Sequence, residues 1–373
     1  MIALSNQASS IYIHIPFCKS KCHYCNFLSF TDKNDYNEYI QTLCSQIKSE
    51  LKSDVPIKTI YIGGGTPSIL SIANLKDIFT TIKDIVVFDK NIEITVEVNP
   101  ATVDYDYLKK LRECGVNRLS IGVQSFNDKF LKSINRLHTS INAKQTIDDA
   151  KKAGFNNISI DLIYGLPNQT AEDWKNELQI ACKQDIQHIS AYGLKVEEDT
   201  YFGKNPPKNI PEEDECAKIF LDTGDILAKN GFSQYEISNY SKEKSQSKHN
   251  LTYWNNKEYY GFGLGAHGYV NNERYSNTCD LDKYLINPTL KNTITLVSPQ
   301  EKLEEEIFLG LRLTCGIAIE SINKKFHINF LEKYKIILER HSKKDLIMFD
   351  NNTVKLTPQG FLLSNYVLAD FLG

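Results

Sequence analysis

The sequence predicts an α/β fold, a partial (β/α)6 TIM-type barrel followed by a C-terminal helical, winged-helix-like module. Six short β-branched runs recur, each followed by a longer segment of helical period. After about residue 235 the pattern changes to an aromatic and glycine-rich segment and then to helices with one small hairpin. Right-handed crossovers between parallel neighbours would roll six βα units into a barrel, and an open doubly wound sheet is the alternative.

The six predicted strands span residues 11–15, 58–62, 93–98, 118–123, 158–163 and 187–193. Each carboxyl end carries residues with chemical function. In chain order these are Cys18, Gly63-Gly64-Gly65-Thr66-Pro67, Glu97 with Asn99, Gln124-Ser125-Phe126, Asp161 with Gly165-Leu166-Pro167, and Tyr192. A β/α barrel places its active site at this face, so the sequence predicts a single site there.

The C-terminal part predicts a different architecture. A capping box at Ser298 with proline next to it opens a helix that runs to about Leu313. Further helices are predicted at 320–326 and 329–341, a hairpin at 346–349 and 354–357, and a last helix from Thr357. The predicted division is therefore 1–235 for the barrel, 236–290 for a connecting segment and 291–373 for the helical domain.

Three cysteines dominate the chemistry. Cys18, Cys22 and Cys25 form a C-x3-C-x2-C run, and three thiolates can hold three irons of a 4Fe-4S cluster while the fourth iron stays open to a small molecule. Zinc is the alternative, with His23 as a fourth ligand, but zinc sites generally add a second Cys or His pair at regular spacing. The other six cysteines are scattered singly and predict ordinary buried thiols in a reducing compartment.

The cysteine loop resembles that of the radical SAM superfamily, which places an aromatic residue before the third cysteine, as Tyr24 stands here. The resemblance extends along nearly the whole chain through YIHIPFC at 12–18, GGGTPS at 63–68, GVQSF at 122–126 and DLIYGLP at 161–167. It implies a 4Fe-4S cluster on Cys18, Cys22 and Cys25 with S-adenosyl-L-methionine (SAM) on the open iron. The SAM-contacting residues that it implies are Tyr12, Gly64, Gly65, Thr66, Glu97, Gln124, Arg136 and Asp161.

Taken singly, these residues have simpler interpretations. The glycines let backbone amides approach a ligand, but they also suit a tight βα turn. Glu97 could hold ribose hydroxyls or an amine, and Arg136 could pair with a carboxylate, although each alone could be a surface charge. Their order along the chain is what matches the superfamily pattern.

Two branches of the superfamily are distinguished by short motifs. The oxygen-independent coproporphyrinogen III dehydrogenase branch carries a fourth cysteine two residues after the third, where this chain has Phe27, and a longer N-terminal arm. HNLTYW at 249–254 matches the H-N-x-x-Y-W motif of the heme chaperone branch, HemW. The resemblance thus implies a chaperone that binds heme and passes it to an acceptor protein, without coproporphyrinogen dehydrogenase activity. The dehydrogenase is the alternative.

His249 is the predicted heme ligand, because heme iron is commonly held by an imidazole. Tyr253, Trp254 and the glycine-aromatic stretch 260–268 could supply a flat apolar surface for the porphyrin. The alternatives are a hydrogen-bonded loop histidine among core aromatics, and His267 as the ligand.

Composition limits the other partners. The net charge is -3 and the terminal module lacks a dense basic stripe, which disfavours nucleic acid and a DNA-binding regulator. No apolar run reaches the roughly 20 residues that span a bilayer, and no leader precedes Cys18, so a cytoplasmic location is expected. A homodimer is left open.

Overall fold

A parallel sheet forms the centre of the computed structural model, which describes residues 7–372. Its six main strands pair in sequence order and all in parallel. They are β1 (Ser10–Ile15), β2 (Ile57–Gly64), β3 (Phe88–Val98), β4 (Arg118–Gln124), β5 (Ile158–Tyr164) and β6 (His188–Gly193). The predicted α/β core with six βα units is confirmed, and its buried faces are rich in Ile, Leu and Val, as expected of a parallel sheet.

Helices follow each of the six strands. They are α1 (Tyr36–Glu50), α2 (Ile72–Lys83), α3 (Tyr105–Glu113), α4 (Asp128–Ser133), α5 (Ser140–Lys152), α6 (Ala171–Cys182), α7 (Tyr201–Lys204) and α8 (Glu213–Lys229). Several begin at strong local signals. Capping boxes at Ser71, Thr139 and Thr170 start α2, α5 and α6, because side chain and backbone satisfy each other's hydrogen bonds there.

The segment predicted as a connection adds strands to both edges of the same sheet. On one side β8 (Asn239–Ser241) runs antiparallel to β6, and the short β7 (Ser233–Gln234), which lies just before the segment, pairs antiparallel with β8. After α9 (Lys248–Trp254), β9 (Tyr260–Phe262) pairs in parallel with β1 on the other side. The segment is therefore structurally part of the sheet, and the domain limits at 235 and 290 stay a prediction.

A small antiparallel sheet lies beyond this region. It consists of β10 (His267–Val270), β11 (Glu273–Asn277) and β12 (Lys291–Leu296), with α10 (Leu281–Ile286) between the last two. Arg274 on β11 forms a bidentate ion pair with Glu305 of the C-terminal part at 2.7 and 2.8 Å. This contact ties the two parts of the chain together.

The C-terminal part has its own hydrophobic core of helices and a three-stranded sheet. Its elements are α11 (Pro299–Gly310), β13 (Ile317–Ala318), α12 (Ile319–Phe326), α13 (Phe330–Lys333), α14 (Lys335–Ser342), β14 (Ile347–Phe349), β15 (Thr353–Leu356), α15 (Pro358–Leu362) and α16 (Ser364–Ala369). The single helix predicted over 329–341 is wrong. Tyr334 leaves helical geometry at φ -108°, and its ring packs on Phe330 and Phe371, so two short helices form instead.

Among residues 7–372, no helix combines the length and the apolar character needed to cross a bilayer.

Candidate functional site

A cavity of about 430 Å³ opens at the carboxyl ends of the parallel strands. It contains ten of the twelve predicted ligand residues in its wall: Cys18, Cys22, Cys25, Gly64, Gly65, Thr66, Glu97, Gln124, Arg136 and Asp161. Tyr12 and His249 are not in the wall. The position of the cavity is the one that a β/α barrel gives to its active site.

Backbone hydrogen bonds fix the cysteine loop directly after β1. The Cys18 amide donates to the Phe30 carbonyl at 2.9 Å, and the Phe30 amide donates to the Pro16 carbonyl at 2.8 Å. Deeper in the loop, the His23 amide donates to the Ile134 carbonyl at 3.2 Å. Because the loop is already ordered, little conformational entropy is left to lose when a ligand binds.

Two side chains donate hydrogen bonds to the thiols. Thr66 Oγ1 donates to Cys18 Sγ at 3.4 Å, and Arg136 Nη1 donates to Cys22 Sγ at 3.5 Å. Burial raises the pKa of the Cys25 thiol, and the positive charge of Lys21 partly opposes that rise. Hydrogen bonds and positive charge near sulfur favour thiolates, which are the ligands of iron–sulfur clusters.

The donor set fits a cluster with one open iron. Three thiols from one loop face the cavity, and Arg136 Nε beside them is buried without a hydrogen-bond partner, a donor that a ligand could satisfy. Within 7–372, no group of three or more His, Cys, Asp or Glu side chains is placed to hold a single metal ion. The assignment of Cys18, Cys22 and Cys25 as cluster ligands stays a prediction.

The glycine turn after β2 lies against the cysteine loop. Gly64 has φ +113°, a region that suits glycine, and a Cβ on it would lie 2.5 Å from the His14 ring. A Cβ on Gly65 would lie 2.6 Å from the Phe17 carbonyl oxygen. The absence of side chains therefore allows β1 and β2 to approach closely below the cavity.

Replacing Gly64 with alanine is expected to lower the free energy of unfolding by about 2–4 kcal/mol, because the left-handed backbone and the clash with His14 both cost energy. Urea denaturation measures the change. Gly154→Ala is the matched control, since Gly154 also has positive φ but nothing within 4 Å of its Cβ position. An equal loss in both variants would mean that close approach at Gly64 contributes nothing.

Tyr12 lies behind the cavity wall, joined to the cysteine loop through a histidine. Its hydroxyl donates to His14 Nδ1 at 3.0 Å, and His14 Nε2 donates to the Leu28 carbonyl at 2.9 Å. Because a carbonyl oxygen can only accept, the ring proton of His14 is assigned to Nε2. Burial lowers the pKa of His14, so the ring is held neutral. The sequence reasoning did not assign a role to His14, although it lies within the YIHIPFC motif.

Two carboxyl groups line the cavity on neighbouring parts of the sheet. Glu97 accepts a hydrogen bond from the Tyr61 hydroxyl at 2.8 Å and from the Gly64 amide at 3.1 Å. Asp161 accepts from the Ser120 hydroxyl at 3.4 Å. Burial raises the pKa of Glu97 to about 7, and burial also raises the pKa of Asp161. Glu97 can therefore accept or release a proton near neutral pH.

The raised pKa of Glu97 predicts that this side chain lowers the free energy of unfolding at high pH. Its folded pKa of about 7 lies above the ordinary value of 4.5, so the folded state binds more protons between these values and stability falls as pH rises through that window. Glu97→Gln is expected to be more stable than the wild type by about 3 kcal/mol at pH 8, with the difference vanishing toward about pH 4.5. Urea denaturation of both proteins across this range tests the sign. A pH-independent difference would contradict it.

The side chains of Gln124 and Arg136 both lie close to Gly122. A bulge in the pairing of β4 and β5 accompanies a left-handed backbone at Gln124, with φ +67°. Arg136 Nη2 donates to the Gly122 carbonyl at 2.5 Å, and a Cβ on Gly122 would lie 3.1 Å from the Gln124 amide nitrogen and 3.3 Å from Arg136. Strained backbone of this kind concentrates at functional sites.

His249 lies below the cavity, inside the barrel, and is only 1% exposed. Its Nδ1 is 2.8 Å from Thr59 Oγ1, and its Nε2 is 2.8 Å from the Tyr253 hydroxyl. The ring stacks on Tyr61, a residue of the cavity wall, with centroids 5.1 Å apart. Burial lowers the pKa of His249 to about 3, so the ring is neutral. His267, the rival ligand, is exposed.

Comparison with known proteins gives the family. Residues 12–181 match the model of the radical SAM superfamily, and residues 297–363 match the HemN C-terminal domain. The heme chaperone HemW of Lactococcus lactis is 38% identical over 371 residues, which cover 98% of this chain and 97% of that protein. The chain belongs to the HemW family. HemW of Bacillus subtilis is also 38% identical, over 98% of this chain and 99% of that protein.

The fold of this HemW-family chain also matches a solved structure. Coproporphyrinogen III oxidase (HemN) from Escherichia coli superimposes with a TM-score of 0.87 at 21% identity, over 99% of this chain and 90% of that one. At this identity the match shows the fold. The radical SAM match implies a 4Fe-4S cluster and SAM as the cofactors of the core.

Sequence reasoning missed a buried polar layer in this HemW-family barrel. Glu93 on β3 accepts hydrogen bonds from the backbone amides of Lys248 and His249 at 3.1 and 3.0 Å, which fixes the start of α9. Arg118 on β4 lines the cavity from its inner end. The sequence feature that could have revealed this layer is the alternation of polar residues in β4, which places Arg118, Ser120 and Gln124 on one face of the strand.

Proposed function

We propose that this protein is a heme chaperone that carries a 4Fe-4S cluster and SAM, binds heme and transfers it to an acceptor protein. The observation that carries the proposal is the near full-length match at 38% identity to two proteins named heme chaperone HemW. The cavity supports the cofactor part, because three thiols, a glycine turn and two carboxyl groups converge on it.

The proposed cluster ligands are Cys18, Cys22 and Cys25. Thr66 and Arg136 hold the sulfurs by hydrogen bonds, and the unpartnered Arg136 Nε offers a further donor. When bound, a reduced cluster supplies a single electron for cleavage of SAM. Around it, the proposed SAM contacts are Tyr12, Gly64, Gly65, Thr66, Glu97, Gln124, Arg136 and Asp161.

His249 is the proposed heme ligand, and its hydrogen bonds determine which ring nitrogen could bind iron. A neutral imidazole is the ligating form, and Thr59 on Nδ1 is placed to orient the ring as an outer partner. Nε2 is occupied by the Tyr253 hydroxyl. Iron can bind Nε2 only after this hydrogen bond breaks and α9 moves to admit the porphyrin.

Phe27 favours the chaperone over the porphyrinogen dehydrogenase. It occupies the position of the fourth cysteine in the dehydrogenase pattern, and its side chain is 62% exposed at the edge of the cavity. An exposed aromatic ring beside the cavity offers a flat apolar contact for a porphyrin. We further propose that the protein is cytoplasmic. The proposal does not assign the identity of the heme acceptor or the oligomeric state.

Anaerobic heme titration of the cluster-reconstituted protein tests the function. Saturable binding near one heme per chain, followed by loss of the heme to an apo-acceptor, is the expected result. A parallel anaerobic assay with coproporphyrinogen III and SAM measures protoporphyrinogen formation. Turnover in that assay, with no saturable heme binding, would replace the chaperone by the dehydrogenase.

A further inference from the structure

Arg118 is a buried cation whose guanidinium lacks an anionic partner in contact. It is 2% exposed, yet it lines the cavity. Its Nε has no hydrogen-bond partner, and none of the ion pairs formed within residues 7–372 includes it. Burying an unpaired charge is costly, so such a group needs an explanation.

The cavity reaches Arg118 along the inner face of β4. Residues at every second position of this strand face the interior, and Arg118, Ser120, Gly122 and Gln124 all line the cavity. The backbone rises about 20 Å over these six steps. The cavity therefore continues well below the cysteine loop, and Arg118 forms its inner end.

The nearby acids are already engaged with other groups. Glu97 accepts from the Tyr61 hydroxyl and the Gly64 amide, and Asp161 accepts from the Ser120 hydroxyl. Burial raises the pKa of both carboxyl groups, and the charge of Arg118 opposes this rise only as a lesser influence. Neither carboxyl group is joined to the guanidinium among the ion pairs formed within residues 7–372.

Two further buried acids of this region, Glu93 and Glu236, accept hydrogen bonds from backbone amides, and neither is in an ion pair with Arg118. Two neighbouring histidines are neutral. His188 and His249 have pKa values lowered by burial and then by the Arg118 charge. Both ring nitrogens of His188 are occupied, by Ser159 at 2.6 Å and Tyr235 at 2.9 Å. On β3, Thr95 is the direct partner of Arg118 in the sheet, and its buried Oγ1 also has no hydrogen-bond partner.

We propose that Arg118 binds a carboxylate of an organic ligand that enters the cavity. The planar guanidinium matches a carboxylate in a two-pronged contact, and burial of the side chain strengthens that contact. Two ligands of the proposed function carry such a group, heme through its propionates and SAM through its methionine part. The heme source rests on the chaperone part of the proposed function, whereas the SAM source rests on the radical SAM match alone.

Paired ligands test the inference on the reconstituted wild-type protein. Heme is compared with its dimethyl ester, and SAM with decarboxylated SAM, by equilibrium titration. We expect the acid form of one pair to bind roughly ten- to a hundredfold more tightly, as for a charge-assisted hydrogen bond. The pair that shows the preference identifies the source. Equal binding within both pairs overturns the inference without any mutation.

Arg118→Met then assigns the preference to this side chain. The variant should lose the preference for the acid form, and Arg118→Lys should keep part of it. Arg112→Met, which changes an exposed arginine on α3, is the matched control and should keep it fully. A preference that survives in Arg118→Met overturns the inference. Failure of the wild type to bind heme at all would reject the proposed function, and the SAM pair would still decide the role of Arg118.

Discussion

Replacement of Cys22 by alanine is expected to abolish the iron–sulfur cluster. Three thiolates are the minimum set that the loop offers, and Cys22 is also the sulfur that receives the hydrogen bond from Arg136. After anaerobic reconstitution, iron and acid-labile sulfide should fall from about four per chain to below about one. Circular dichroism of the same samples verifies that the fold is kept.

A second cysteine provides the control for this experiment. The expectation of a buried thiol is wrong for Cys315, which is exposed in the C-terminal part, outside the cavity wall. Its thiol donates only a weak hydrogen bond to the neighbouring Gly316 carbonyl. Cys315→Ala should therefore reconstitute like the wild type. Full iron content in the Cys22 variant would remove Cys22 from the ligand set, whereas a wild-type protein that reconstitutes no iron would return the loop to the zinc alternative.

The barrel and most of its cavity could be predicted because their signals are local. Each parallel strand is a short β-branched run, and the residue that follows it is forced to the carboxyl face of the sheet. Gly64, Glu97 and Asp161 thus reach one cavity although they lie on three different strands. The position along a strand fixes the face, so the sequence order alone was sufficient there.

Contacts between distant segments could not be predicted in the same way. Strand β9 pairs with β1 at the edge of the sheet although about 250 residues separate the two strands in sequence. No local sequence pattern predicts that pairing. The same limit applies to His249, whose partner Thr59 lies 190 residues earlier in the chain. Arg118 was overlooked because an arginine starting a strand ordinarily indicates a solvated end, whereas here the barrel encloses it.

The hydrogen bond between His249 and Tyr253 gives the sharpest test of the heme ligand. If iron binds Nε2, it competes with the Tyr253 hydroxyl, which lies 2.8 Å from that nitrogen. Tyr253→Phe removes the competitor while keeping the ring, so heme should bind about two- to tenfold more tightly, the value of one neutral hydrogen bond. His249→Ala should weaken heme binding by at least about tenfold. Titrations followed by visible absorption measure both changes.

The two variants together separate ligation from a purely structural role. A histidine that only supports the Tyr61 ring of the cavity wall, on which it stacks at 5.1 Å, would be disturbed by either change, and both variants would then bind heme equally or less well. Opposite effects are expected only when Nε2 is a site for which iron and the hydroxyl compete. His267→Ala is the control, because this exposed histidine is the rival ligand. Loss of the imidazole-bound heme spectrum in that variant alone would move the ligand from α9 to β10.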